Sequence, residues 1–132
     1  MDSVNVFDRM IGQVFDEVFI SASEDELYFV NDQMRVTFYH TQDCCEQVYI
    51  EDVVGDLRDL VGMPILLAES VTHKDETPEG LQEPSAWDES YTWTFYKFAT
   101  NRGSVTVRWY GSSNGYYSES VDWSIEGSEY ED

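Results

Sequence analysis

Basic side chains are scarce in this sequence: seven Lys and Arg stand against 27 Asp and Glu in 132 residues, a formal net charge of −20. A field of that sign repels phosphate backbones and anionic lipid, so neither direct nucleic-acid binding nor membrane association is expected. The two cysteines, Cys44 and Cys45, are adjacent, a poor disulfide framework that fits a reducing, cytosolic setting. Near the N-terminus no basic region is followed by an apolar run, so no secretory signal is expected. An apolar segment of about 18 residues, long enough to span a bilayer, is also missing. So are a glycine-rich phosphate loop, a loop of alternating acids around a central glycine, and a basic stripe.

What is present argues for a folded chain. Hydrophobic residues make up 42% and aromatics 15%, too much for disorder despite the charge. The length suits one domain, residues 1–132, with a real core. Acids are spread throughout, 14 in the first half and 13 in the second, so the charge is not that of a tail on a neutral domain. It would attract a basic protein surface, although solubility or adaptation to high salt would produce it as well.

The stretch His40–Gly62 organises the chain, with one of two histidines, both cysteines and six acids. Ile50, Val53, Val54, Leu57, Leu60 and Val61 follow helical spacing, with Glu51, Asp52, Asp56, Arg58 and Asp59 opposite, which predicts a principal helix over about residues 51–61. Gly62 and Pro64 would end it. A short helix is expected within Met1–Gly12, begun by Asp2 or Ser3, and a strand within Val14–Ala22. The Ser23–Glu26 turn leads to a strand at Leu27–Val30, and Asn31–Gln33 forms the next turn. Met34, Val36, Phe38 and His40 alternate with polar neighbours as a half-buried strand. Pro64–Val71 reads as a central strand, and Thr72–Glu89 as a long acidic loop or contact arm. Strands at Tyr91–Ala99 and Val105–Tyr110 follow. A last strand buries Tyr117, Val121, Trp123 and Ile125, and an acidic tail begins at Gly127. The fold class expected is α+β: a mainly antiparallel, twisted sheet of about six to seven strands with one principal helix packed on it.

Several residue groups could carry chemistry. Cys44, Cys45, His40 and His73 are the inventory of a zinc site, but adjacent cysteines in an extended chain point apart, and no metal or cofactor is expected. The commoner outcome for such a pair is one cysteine buried and one partly exposed. A Cys45–His40 nucleophile is weakened by Asp43, Glu46, Glu51 and Asp52, which would raise the thiol pKa. Those same acids could hold magnesium or calcium, though a solvated face is their default. Arg108, Trp109, Tyr110, Tyr116 and Tyr117 flank a glycine- and serine-rich turn. They could stack a nucleobase while Asn114 and Ser118 read its edge, with His40, Cys45 and Glu46 assisting. Packing of the core by the same aromatics is the alternative.

Two stretches carry a resemblance. One is His40, Asp43-Cys44-Cys45-Glu46, Val48-Tyr49-Ile50-Glu51-Asp52, Gly55-Asp56-Leu57, Asp59-Leu60 and Gly62. The other is Trp93-Thr94-Phe95-Tyr96, Arg108-Trp109-Tyr110-Gly111 and Asn114-Gly115-Tyr116-Tyr117-Ser118-Glu119. Together they resemble a family of small uncharacterised proteins of tailed bacteriophages, over most of residues 11–125. The resemblance implies a viral origin and action in the host cytoplasm, and brings no established activity.

The function expected is that of a non-enzymatic accessory, anti-defence protein. It would inhibit a host nucleic-acid-handling factor, such as a nuclease, restriction or CRISPR-type complex, by presenting a nucleic-acid-like acidic surface to its basic groove. The expected contacts are Glu51, Asp52, Asp56 and Asp59, with Asp75, Glu76, Glu79, Glu83, Asp88 and Glu89 on the arm. The alternatives are a protein that sequesters a small nucleotide through the aromatic hairpin, and a metal-dependent enzyme. The sequence does not indicate an oligomeric state.

Overall fold

Alternation of apolar and polar residues dictates most of the architecture. The computed structural model describes residues 5–75, 77, 90–115 and 117–127. After a short helix α1, Val6–Met10, come the strands β1 (Glu17–Ile20), β2 (Leu27–Val30) and β3 (Arg35–Tyr39). β4 (Gln47–Val54) is followed by a 3-10 turn, Leu57–Leu60. Then come β5 (Leu67–Lys74), β6 (Ser90–Thr100), β7 (Gly103–Ser113) and β8 (Asp122–Glu126). Two four-stranded sheets result, ordered β1-β2-β3-β8 and β4-β7-β6-β5, with every strand pairing antiparallel. The chain is therefore β-rich, with two sheets where one of six to seven strands was expected.

The sheets face each other across a layer of aromatic rings. Phe29 and Phe38 of the first sheet meet Phe98 and Tyr96 of the second at 4.8 Å between centroids. Phe7 of α1 lies against Phe38 and Tyr96. Asn5 caps α1 by accepting from the Phe7 amide, a role the sequence suggested for Asp2 or Ser3. Phe15, Leu27, Val36, Leu60, Ile65, Val107 and Trp109 complete the core.

The principal helix over 51–61 is not formed. β4 runs through most of that stretch, Gly55 turns the chain with φ +111°, and only Leu57–Leu60 winds, as a 3-10 turn capped by Asp56. Val48 and Ile50 are buried on the period-two pattern of a strand, and β-branched Val53 and Val54 favour strand as well. A bulge between Ile50 and Asp52 then shifts the alternation by one. Period two, one slipped residue and a sharp turn together reproduce helical spacing along the sequence. A side chain at Gly55 would place its Cβ 2.6 Å from the Ser104 carbonyl oxygen, so the turn requires glycine.

Two further expectations are corrected. The run Ile65-Leu66-Leu67 does not enter a central strand: β5 is an edge, and Leu66 and Leu67 are exposed while Ile65 fills the core. The central positions belong to β6 and β7, the longest strands. In the last strand Trp123 is exposed, and only Val121 and Ile125 pack against the core. Of the acidic loop, Thr72–Lys74 is strand and Asp75 and Thr77 are described; Glu76 and residues 78–89 lie outside the described residues, as does the tail beyond Gly127. No helix among the described residues is long and apolar enough to cross a membrane.

Phe98 is fully buried and touches rings from α1, β2 and β3. Phe98→Ala should lower the unfolding free energy by about 3–5 kcal/mol in denaturant titration. A loss below about 1 kcal/mol would contradict this packing.

Candidate functional site

The chain passes between the sheets twice, from β3 to β4 and from β7 to β8. Because β3 pairs with β8, the two crossings run side by side. Each contains a buried glutamate: Glu46 in the first and Glu119 in the second. Of the polar residues singled out in the sequence, His40, Asp43 and Cys44 gather around Glu46, and Ser118 lines a cleft with Glu119.

Glu46 accepts hydrogen bonds from the Asp43 amide (2.8 Å), the Cys44 amide (2.9 Å) and His40 Nε2 (2.7 Å). The other ring nitrogen of His40, Nδ1, lies 2.8 Å from the Ser120 carbonyl oxygen in the second crossing. Both ring nitrogens of His40 thus face oxygen atoms, one in each crossing. Burial pushes the Glu46 carboxyl up, but the His40 bond and the amides of Cys44, Asp43 and Glu46 itself prevail and hold its pKa at about 2. Gln42 Nε2 closes the loop by donating to the carbonyls of Cys44 and Glu46.

Cys44 and Cys45 are joined to each other, and both are exposed. Neither the free thiols expected nor the division into one buried and one exposed cysteine is found. A bond between chain neighbours staples no distant segments, so the pair is indeed no framework. The Cys45–His40 nucleophile is not assembled either: Cys45 carries no thiol, and both nitrogens of His40 are engaged. His73 stands apart, against Phe95 on the outer face of β5 and β6. Among the described residues, no three His, Cys, Asp or Glu side chains converge as metal ligands.

Glu119 sits over Gly111, where a Cβ would meet its carbonyl oxygen at 2.9 Å, so glycine lets the second crossing lie flat on β7. Its carboxylate accepts from Thr92 Oγ1 at 2.7 Å and from Ser113 Oγ at 2.5 Å, and Lys74 Nζ stands 3.7 Å away. Beside it opens a cleft of about 570 Å³, floored by β5 and β6 and walled by residues 117–121. The inward side chains of β6 explain it: Phe98 and Tyr96 meet the opposite sheet, whereas Thr94, Thr92 and Ser90 continue the same face in hydroxyls.

The aromatic hairpin is divided by strand alternation. Trp109 points into the core, Arg108 and Tyr110 take the outer face, Tyr117 and Ser118 line the cleft, Asn114 is exposed in the turn, and Tyr116 lies outside the described residues. The outer aromatic group is instead Tyr49, Tyr91, Trp93 and Tyr110, with Trp93 and Tyr110 4.6 Å apart. Tyr49, Tyr91 and Trp93 were missed as partners of Tyr110 because they neighbour it across strands, not along the chain. The alternation in Trp93-Thr94-Phe95-Tyr96 was the available signal.

Of the acidic contacts expected, Glu51 and Asp52 both reach Arg108, at 2.5 and 3.3 Å. The bulge turns these two neighbours toward one partner. Asp56 pairs with Arg58, while Asp59 is half-buried beside Gly103. Asp75 accepts from the Tyr91 amide and Ser90. Glu76, Glu79, Glu83, Asp88 and Glu89 lie outside the described residues. Sequence reasoning overlooked Glu24 and Asp25 as site residues. The Glu24 carbonyl accepts from the Ile50 amide at 2.7 Å, which docks the β1–β2 turn on β4 next to Glu51 and Asp52.

The Glu46 anchor gives a pH signature. Its folded pKa of about 2 lies below the ordinary 4.5, so its stabilisation is complete above the unfolded value and lost as pH falls from about 4.5 toward 2. Glu46→Gln should therefore melt below the wild type at neutral pH, with the gap closing over that acid window. A gap that stays constant with pH would show the carboxylate to be no anchor.

A model of the family described as a domain of unknown function, DUF7448, matches residues 8–123. Neither the curated proteins nor the solved structures contain a match to the chain. With the match running from α1 into β8 and taking in both crossings and the cleft, the chain belongs to the DUF7448 family.

Proposed function

We propose that this protein is a phage accessory protein that binds and inhibits a host nucleic-acid-handling factor in the host cytoplasm, its acidic surface entering a basic groove in place of nucleic acid. One observation supports the reading above the others. The docked β1–β2 turn brings the backbone of exposed Glu24 to Ile50, the residue before exposed Glu51 and Asp52, while exposed Asp25 shares a surface with Cys44 and Cys45, which follow exposed Asp43. Arg108, the base paired there, is 18% exposed and answers two of these carboxylates. A patch of that composition keeps a net negative potential at its centre and steers a basic partner toward it. The net charge of −20 extends the field over the molecule. The likeness of both crossings to tailed-phage proteins supports the viral setting.

The complex should be strongly salt-dependent, since exposed charges act within a short screening length. Immobilised protein should capture a basic nucleic-acid-binding protein from host lysate at low salt, release it at high salt, and lose it to competing DNA or RNA. Glu24→Lys with Asp43→Lys should weaken capture about tenfold with the melting temperature maintained. Retention that ignores salt, or an unaffected double variant, would overturn the reading.

A further inference from the structure

The cleft beside Glu119 has a chemistry that the acidic surface does not use. We propose that it is a binding site for a neutral saccharide, a mono- or disaccharide held by the hydroxyls of β5 and β6. Its volume of about 570 Å³ falls within the range of small-molecule pockets, about 300–1,000 Å³. It opens where the sandwich stops being apolar: the inward face of β6 passes from Phe98 and Tyr96 to Thr94 and Thr92, and that of β5 carries Ser70 and Thr72.

The hydroxyls of Ser70, Thr72 and Thr94 line this cleft without a hydrogen-bond partner among the described residues. Thr94 is itself a buried residue on the floor. A threonine or serine hydroxyl both donates and accepts, which matches the hydroxyls of a sugar in either role. Tyr117 and Val121 complete the lining on the side of the second crossing.

Charge selects against the other candidates. Lys74 Nζ stands between Glu119 at 3.7 Å and Asp75 at 3.8 Å, so two carboxylates already answer one ammonium. An added phosphate would meet net negative charge. A cationic ligand would meet Lys74, and a carboxylate already engaged by Thr92 and Ser113. An uncharged, hydroxyl-rich ligand disturbs neither arrangement. The site is independent of the acidic patch, and either proposal can fail alone.

Isotope-labelled full-length protein should be titrated with glucose, galactose, N-acetylglucosamine and maltose, and in parallel with glucose 6-phosphate and adenosine, with amide shifts followed by NMR. At least one neutral saccharide should give saturable shifts clustered on β5, β6 and residues 117–121, and its phosphorylated form should bind more weakly. Thr72→Val with Thr94→Val keeps side-chain shape and strand preference and should weaken binding about tenfold through the lost hydrogen bonds. Should that pair fail to fold, Ser70→Ala on the exposed edge strand should weaken binding in the same direction. Absence of saturable shifts with every neutral saccharide, insensitivity to these substitutions, or tighter binding of the phosphate or of adenosine would overturn the assignment.

Discussion

A carboxylate buried as fully as that of Glu46 persists only while donors match its charge, because an unanswered buried anion costs more than a fold of this size can absorb. The match is made by the chain around it: two amides of its own loop and an imidazole at the end of β3. Through the second nitrogen of His40 the same network grips the opposite crossing. Glu119 repeats the device, with hydroxyls from β6 and β7 as donors. The two sheets share an apolar layer, but apolar layers are tolerant of sliding. Directional bonds at the crossings fix how one sheet sits on the other.

This division of labour explains what could be read from the sequence. The strands β2, β3, β6 and β7 were legible in position, because burial on one face imposes period two, although β7 runs on through Gly111–Ser113, which the sequence suggested as turn. The stretch after Tyr49 was not, since a bulge and a glycine turn break that period within a few residues and leave spacing that a helix would also produce. His40, Asp43, Cys44 and Glu46 stood out because polar residues in a cluster suggest chemistry. They serve instead as a loop anchor, and only pairing across 80 positions, as between His40 and Ser120, reveals it. The cleft was within reach: threonines at alternate positions of a strand otherwise filled with aromatics mark where a buried face turns wet.

The surface charge also divides by depth. Glu46 and Glu119 are interior and structural, Glu51 and Asp52 share an arginine, and the turn acids stand in solvent. A net charge of −20 therefore sets the sign of the field but not where it is strongest, which depends on how the acids divide between interior and surface. Edge strand β1 carries Glu17 on an exposed position, and charge there discourages pairing with another chain's strand.

The pairing of β3 with β8 has a consequence for how the chain reaches this state. Val36 and Ile125 are partners in the ladder although the entire second sheet lies between them in sequence. On the ribosome, the first three strands would emerge with one side of β3 unpaired and wait there until β8 was made. Folding that depends on so distant a contact is slow by the loop entropy it must overcome. The nascent chain would spend that interval with an open strand edge, the state in which chaperones hold a β-protein.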